Sequence, residues 1–170
     1  MAIKQSEILA FSNRASTPSA SLLWEAKRQG RQTAFLCHSH KDRELAKCVQ
    51  AFLASVGFDL YIDWEDANMP NHPNQETAAR IQSKIEELHW FLYLATENSA
   101  PSRWCPWEIG YADGVKPTER ILILPTEKNY TTYGAEYLGL YRHIDARSVG
   151  VPVVVRNLDG TITEMKSMRV

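Results

Sequence analysis

Gln32-Thr33-Ala34-Phe35-Leu36-Cys37, running straight into His38-Ser39-His40-Lys41-Asp42, decides how the rest of the chain is read. The first six residues form a short apolar run without alternation, as expected of a strand buried on both faces, and the next five form a polar turn. Leu45, Val49, Phe52, Leu53 and Val56 then recur at helical intervals, with Ser39 and Asp42 spaced for a capping box and Gly57 placed to end the helix. Phe58 to Ile62 reads as a second strand. From Asp63 to Asn74 the chain is rich in Asp, Asn, Pro and His, which predicts a long exposed loop. Ala78, Ile81, Ile85 and Leu88 mark another helix, Trp90 to Ala95 a third strand, the segment around Glu108 a further helix, and Ile121 to Leu124 a fourth strand.

Strands alternating with helices imply parallel pairing with right-handed crossovers, hence an open α/β sheet with helices on both faces. In such sheets ligands bind beyond the carboxyl ends of the strands, which gathers the turn after Cys37, the loop from Asp63 and the segment after Ala95 on one edge. Tyr137 to Ile144 is expected to add a fifth strand. Residues 151–166, folded about Asn157-Leu158-Asp159-Gly160, are expected to form a C-terminal β-hairpin. Residues 1–30 read as an N-terminal extension, a loosely held polar lead-in followed by a short helix over Ser19 to Gln29. Residues 31–170 read as a single domain.

The chain has 170 residues, 44% of them hydrophobic, enough to bury a core without staples. A formal net charge of -1 and no long basic run give no electrostatic reason to expect nucleic acid or a membrane surface as partner. Cys37, Cys48 and Cys105 lack metal-ligand or disulfide spacing and fit reduced thiols in a cytoplasmic protein. Neither a secretion signal nor a membrane anchor is visible.

No GxxxxGK[ST] or GxGxxG motif occurs, which sets aside nucleotide-triphosphatase and dinucleotide-dehydrogenase chemistry. Ser39 between His38 and His40 suggests either a hydrolytic pair, a weak metal site or simply a polar turn capping the next helix. Glu65 and Asp66 read as solvated loop acids, whereas Asp63, ending a strand, suits loop amides or a ligand equally. The most informative carboxylate is Glu108. In Ser102-Arg103-Trp104-Cys105-Pro106-Trp107-Glu108-Ile109-Gly110-Tyr111-Ala112 it shares a helical face with Trp104, Tyr111, Ala112 and Val115. A charge on an apolar stripe is costly unless a hidden partner or a ligand meets it. A bland alternative is a carboxylate satisfied by a backbone amide near the helix start.

Phe35-Leu36-Cys37-His38-Ser39-His40-Lys41-Asp42, then Tyr61-Ile62-Asp63, then Ser102 to Glu108 together resemble the three sequence boxes of bacterial Toll/interleukin receptor (TIR) domains, over about Gln32 to Leu124. The resemblance implies a flavodoxin-like parallel sheet and, as in enzymatic members, cleavage of the nicotinamide-ribose bond of NAD to nicotinamide and either ADP-ribose or a cyclic isomer. It selects Glu108 as the catalytic carboxylate, four residues after Trp104. A carboxylate there can stabilise an oxocarbenium-like ribose, and Trp104 offers a flat stacking surface. By resemblance His38, Ser39, His40, Asp63 and Tyr111 join Trp104 as substrate-binding residues, the loop after Asp63 corresponds to the family's mobile loop, and neither metal nor cofactor is required.

Three features depart from the family pattern: Pro70 is followed by Asn71 rather than Gly, Cys37 replaces the common Ser, and a hairpin replaces the final helix. The resemblance to standalone TIR proteins of Thoeris-type antiphage systems further implies self-association through TIR contacts and a separate effector activated by the nucleotide product. Two rivals stand beside the NAD glycohydrolase or ADP-ribosyl cyclase: a non-catalytic TIR scaffold, and a nucleoside N-glycosidase or deoxyribosyltransferase.

Overall fold

The computed structural model describes residues 1–12, 30–70, 72–146 and 152–169. The helix expected over residues 19–29 lies outside them. The strands are β1 (Ile3–Lys4), β2 (Gln32–Cys37), β3 (Phe58–Tyr61), β4 (Trp90–Ala95), β5 (Ile121–Lys128), β6 (Thr131–Thr132), β7 (Arg142–Asp145), β8 (Val154–Arg156) and β9 (Ile162–Glu164). The helices are α1 (Gln5–Ser12), α2 (Arg43–Ala54), α3 (Gln75–Glu87) and α4 (Cys105–Val115).

The sheet runs β3-β2-β4-β5-β7-β8-β9. The first five are parallel and the last two antiparallel. Renumbered along the chain, the parallel strands lie in the order 2-1-3-4-5, the flavodoxin arrangement, whose direction of winding reverses between β2 and β4. The side-chain period of two splits each buried strand between two cores. Ala34, Leu36, Leu92, Leu94, Leu122 and Leu124 pack beneath α1 and α2. Phe35, Cys37, Phe91, Tyr93, Ile121 and Ile123 pack beneath α3 and α4, where Phe35 and Phe91 stack at 5.8 Å. The expected open α/β sheet with helices on both faces is therefore present, and so is the C-terminal hairpin, which turns at Gly160 with φ +83.

Four expectations change. Residues 1–12 are not a loose lead-in: β1 pairs in parallel with the end of β5, and Ile3 and Ile8 are fully buried, each contributing about 1.5–3 kcal/mol by burial. The expected fifth strand begins only at Arg142, because Glu136–Leu140 forms a 3-10 turn that buries Leu138. The Ser39–Asp42 capping box does not form. Ser39 Oγ accepts from the Lys41 amide, while the Asp42 carboxylate accepts from Thr96 Oγ1 at 2.6 Å and Asn98 Nδ2 at 2.7 Å. This bridge ties the turn after β2 to the turn after β4 across the switch point. Finally, the stretch after β3 is pinned rather than loosely solvated. Glu65 pairs with Lys47 and accepts from Gln50 Nε2, and Asp66 accepts from Tyr61 Oη at 2.8 Å and from the Asn68 amide.

Candidate active site

A cavity of about 540 Å³ opens beyond the carboxyl ends of β2 and β3, between the segment Asp63–Pro73 and the start of α4. His40, Asp63 and Trp104 line it, as do Arg43, Trp64, Met69, Thr77 and Ile81. Ligand sites in sheets of this order are expected at this edge. Arg43, Thr77 and Ile81 were missed from sequence because they sit in helix patterns, Trp64 because it follows Asp63, and Met69 because its loop reads as exposed. Arg43 alone carried a signal, as a cation opening a helix right after a polar turn.

α4 is built to start abruptly. Ser102 Oγ accepts from the amides of Trp104 and Cys105 at 3.2 and 3.3 Å, and Pro106 occupies the first turn, where it costs no hydrogen bond. Starting at Cys105 fixes the phase of the helix. Its buried residues are Cys105, Glu108, Ile109 and Ala112. Glu108 is 4% exposed, as its sequence context suggested, but the stripe differs from the expected one: Val115 is exposed and Tyr111 is only half-buried.

Glu108 lies one turn beyond Trp104, to whose carbonyl its amide donates at 2.8 Å. Among the described residues no Lys, Arg or His pairs with its carboxyl group. Burial pushes its pKa well above the carboxylate range, and Cys105 and the Asp63 charge push the same way. A hydrogen bond from Cys37 opposes this without overcoming it. Even its place in the first turn of a helix, where the dipole favours an anion, does not offset the lost water. Glu108 therefore holds its proton to higher pH than a carboxyl group in water does. The Cys37 thiol, whose Sγ lies 3.8 Å from the Cys105 carbonyl, is likewise pushed well up by burial.

The remaining sequence candidates divide. His38 is buried with both ring nitrogens engaged: Trp64 Nε1–H donates to Nε2 at 2.9 Å, and Nδ1 then carries the proton and donates to the Leu36 carbonyl at 3.1 Å. Indole can only donate, so this pairing sets the neutral tautomer. Burial lowers the His38 pKa in the same sense. The ring thus holds the edge of Trp64, whose face receives the Arg43 guanidinium at 5.2 Å. Ser39 caps the short 3-10 turn His40–Asp42 and lies outside the cavity lining. Tyr111 also lies outside it, stacking on Trp107 at 6.0 Å and donating its hydroxyl to Glu86. Asp63, in the 3-10 turn Asp63–Glu65, lines the cavity, and its Oδ1 is buried without a hydrogen-bond partner.

Residues 34–150 match the TIR domain family model. The chain belongs to the TIR domain family. It is also 33% identical over 115 residues to a Bacillus cereus (strain MSX-D12) protein named "Probable 3' cyclic ADP-D-ribose synthase ThsB'", a stretch that covers 65% of this chain and 58% of that protein. The chain thus spans a little over half the length of this curated relative. The TIR match runs from Ala34 within β2 through β7 and takes in the whole cavity lining and Glu108, whereas β1, α1 and the terminal hairpin pack onto the TIR unit from outside it. Among the described residues no three His, Cys, Asp or Glu are placed to hold a metal ion, and no helix is long and apolar enough to cross a membrane.

Proposed function

We propose that this TIR domain cleaves the nicotinamide-ribose bond of NAD, with Glu108 as the essential carboxylate and Trp104 as the stacking platform. The observation that carries the proposal is the buried Glu108, without a counter-ion among the described residues, one turn beyond a Trp that lines the cavity at the switch-point edge. An unpaired buried acid is a standing cost that a cationic ligand relieves, and oxidised nicotinamide is such a cation.

In the reaction the C1′–N bond breaks and its electron pair leaves with nicotinamide, which becomes neutral. The positive charge passes to the ribose as an oxocarbenium-like centre. Glu108, which releases its proton to solvent as the cation binds, stabilises that centre as a carboxylate in surroundings that exclude water, where the attraction is strongest. Capture of C1′ by water gives ADP-ribose and a proton. Capture by a nucleophile within the same molecule gives a cyclic isomer and a proton, and stacking on Trp104 favours this by holding the two ends close. The relative's name supports a cyclic product with a 3′ linkage. We further propose, from the same relationship, that the protein works in the cytoplasm, that it self-associates through TIR contacts, and that its product signals to a separate effector in antiphage defence.

The test is incubation of concentrated protein with NAD beside Glu108→Gln, with products resolved by mass spectrometry. Nicotinamide release that vanishes in the variant supports glycohydrolase activity, and a product of ADP-ribose mass less one water supports the cyclase. If NAD survives the wild-type protein, the scaffold alternative replaces catalysis. Cleavage of free nucleosides but not NAD moves the assignment to an N-glycosidase.

A further inference from the structure

Glu108 and Trp104 account for the breaking bond, but they do not account for Asp63. Four acids cluster at this edge of the sheet, and three are answered by donors: Asp42 by Thr96 and Asn98, Glu65 by Lys47 and Gln50, Asp66 by Tyr61 and Asn68. Asp63 lines the same cavity with Oδ1 buried and unpartnered. The nearest strong donor on its own turn, the Trp64 indole N–H, is spent on His38. Buried polar atoms are nearly always paired, so an unpaired one in a cavity wall marks a place where a ligand supplies the missing donor.

The choice of donor follows from the surroundings. Asp63 and Glu108 are close enough for the charge of one to act on the other. A metal ion would need further ligands, and no such set exists among the described residues. A closed-off oxygen also has no room for a flat ring, whereas a hydroxyl hydrogen needs little space and χ2 of an Asp turns easily. The Trp104 face lies on the same cavity, and a ring stacked there would carry its attached sugar alongside. Arg43, also on the lining and held over the Trp64 ring, supplies a positive charge that suits phosphates.

We propose that Asp63 accepts a hydrogen bond from a hydroxyl of the nicotinamide-bearing ribose and thereby makes the site selective for ribose over deoxyribose. This rests on the proposed NAD cleavage. The experiment compares kcat/KM for NAD and for its 2′-deoxy and 3′-deoxy analogues on the nicotinamide ribose, in wild type, Asp63→Ala and Asp63→Asn. For one analogue, the wild type should lose at least about tenfold relative to NAD. That ratio should collapse to near one in D63A and recover in part in D63N, which keeps an acceptor oxygen. Unchanged ratios in a D63A protein with wild-type circular dichroism would overturn the inference while leaving NAD cleavage standing. Should the wild type release no nicotinamide, cleavage fails as a function. Asp63 is then judged by tryptophan fluorescence on titration with ADP-ribose: binding weakened at least about tenfold in D63A upholds hydroxyl recognition, and equal binding or none overturns it.

Discussion

Replacing Glu108 by Gln should stabilise the protein, by an amount that grows with pH. In the unfolded chain the Glu108 carboxyl titrates near its ordinary value of about 4.3. In the fold, burial raises its pKa well above that. Between those two values the native state holds one proton more than the unfolded state, so unfolding free energy falls as pH rises, by at most ~1.4 kcal/mol per pH unit. Stability from this group is thus complete on the acid side and is lost upward from about pH 4.3 until the folded pKa is reached. Glutamine has the same shape and no proton to lose, so E108Q should not show this decline.

Other groups titrate as well, and the subtraction handles them. His38, with its pKa lowered, is more protonated unfolded than folded below about pH 6.5, so its contribution rises with pH in both proteins and cancels in the difference. Cys37, raised by burial, interferes only where unfolded thiols ionise, so the range stops at about pH 7.5. Urea unfolding of both proteins from about pH 5 to 7.5 should give a stability gap that widens toward high pH. For a chain of this size a slope of ~1.4 kcal/mol per unit corresponds to about 3–6 °C in Tm per pH unit. Parallel stability curves would refute the reasoning, because they would mean that Glu108 ionises in the fold as freely as in water.

Three further outcomes follow from the contacts. Asp42→Ala strips Thr96 and Asn98 of a buried acceptor and should cost about 2–4 kcal/mol in urea unfolding, whereas a loss under about 0.5 kcal/mol would show that the bridge across the switch point carries no weight. Trp64→Phe keeps an aromatic face for Arg43 but removes the N–H that holds His38 Nε2; the His38 pKa followed by NMR should move up toward the ordinary imidazole value, and no movement would mean that burial alone sets it. Gly134→Ala forces a side chain onto φ +113 and brings its Cβ to 3.0 Å from Pro125 Cβ; a loss of about 1–3 kcal/mol is expected in the same unfolding assay, and wild-type stability would contradict it.

The central sheet was legible because β2, β4 and β5 are buried on both faces, so apolar runs such as Phe91-Leu92-Tyr93-Leu94 admit little else. The hairpin was legible from Asn157-Leu158-Asp159-Gly160. β1 and α1 were not, since Ile3 and the run Ile8-Leu9-Ala10-Phe11 are short apolar stretches among polar residues, and the burial of Ile3 and Ile8 depends on β5 and α2, far along the chain. Glu65 looked solvated because its partner Lys47 lies eighteen residues upstream on another element. At the site, the burial of Glu108 could be read from its apolar neighbours. The composition of its stripe could not, because helical phase depends on where the helix begins. Only the structure shows that Ser102 starts it at Cys105. The orphaned oxygen of Asp63 has no sequence signature at all.

Satisfaction of buried polar groups varies across the fold in a way that bears on function. Away from the cavity they are answered: Trp90 Nε1 donates to Gln32, Gln50 donates to the Leu60 carbonyl, and Asp145 is held by Arg156 at 2.9 Å. At the carboxyl ends of β2, β3 and β4 the pattern reverses. Among the described residues Glu108 has no counter-ion, Asp63 Oδ1 has no donor, and the hydroxyl of Tyr93, a residue in register with Cys37, has no hydrogen-bond partner. Each such group destabilises the empty protein, and a sequence shaped only for stability would replace them by apolar residues. Among the described residues, the other buried acid with an oxygen lacking a hydrogen-bond donor, Asp145, has that Oδ1 2.8 Å from the Met1 amino group, so the uncompensated groups gather where the sheet order reverses. A ligand that brings both a cation and hydroxyl donors to this edge would relieve two of the costs at once, so binding there should raise stability more in the wild type than in E108Q.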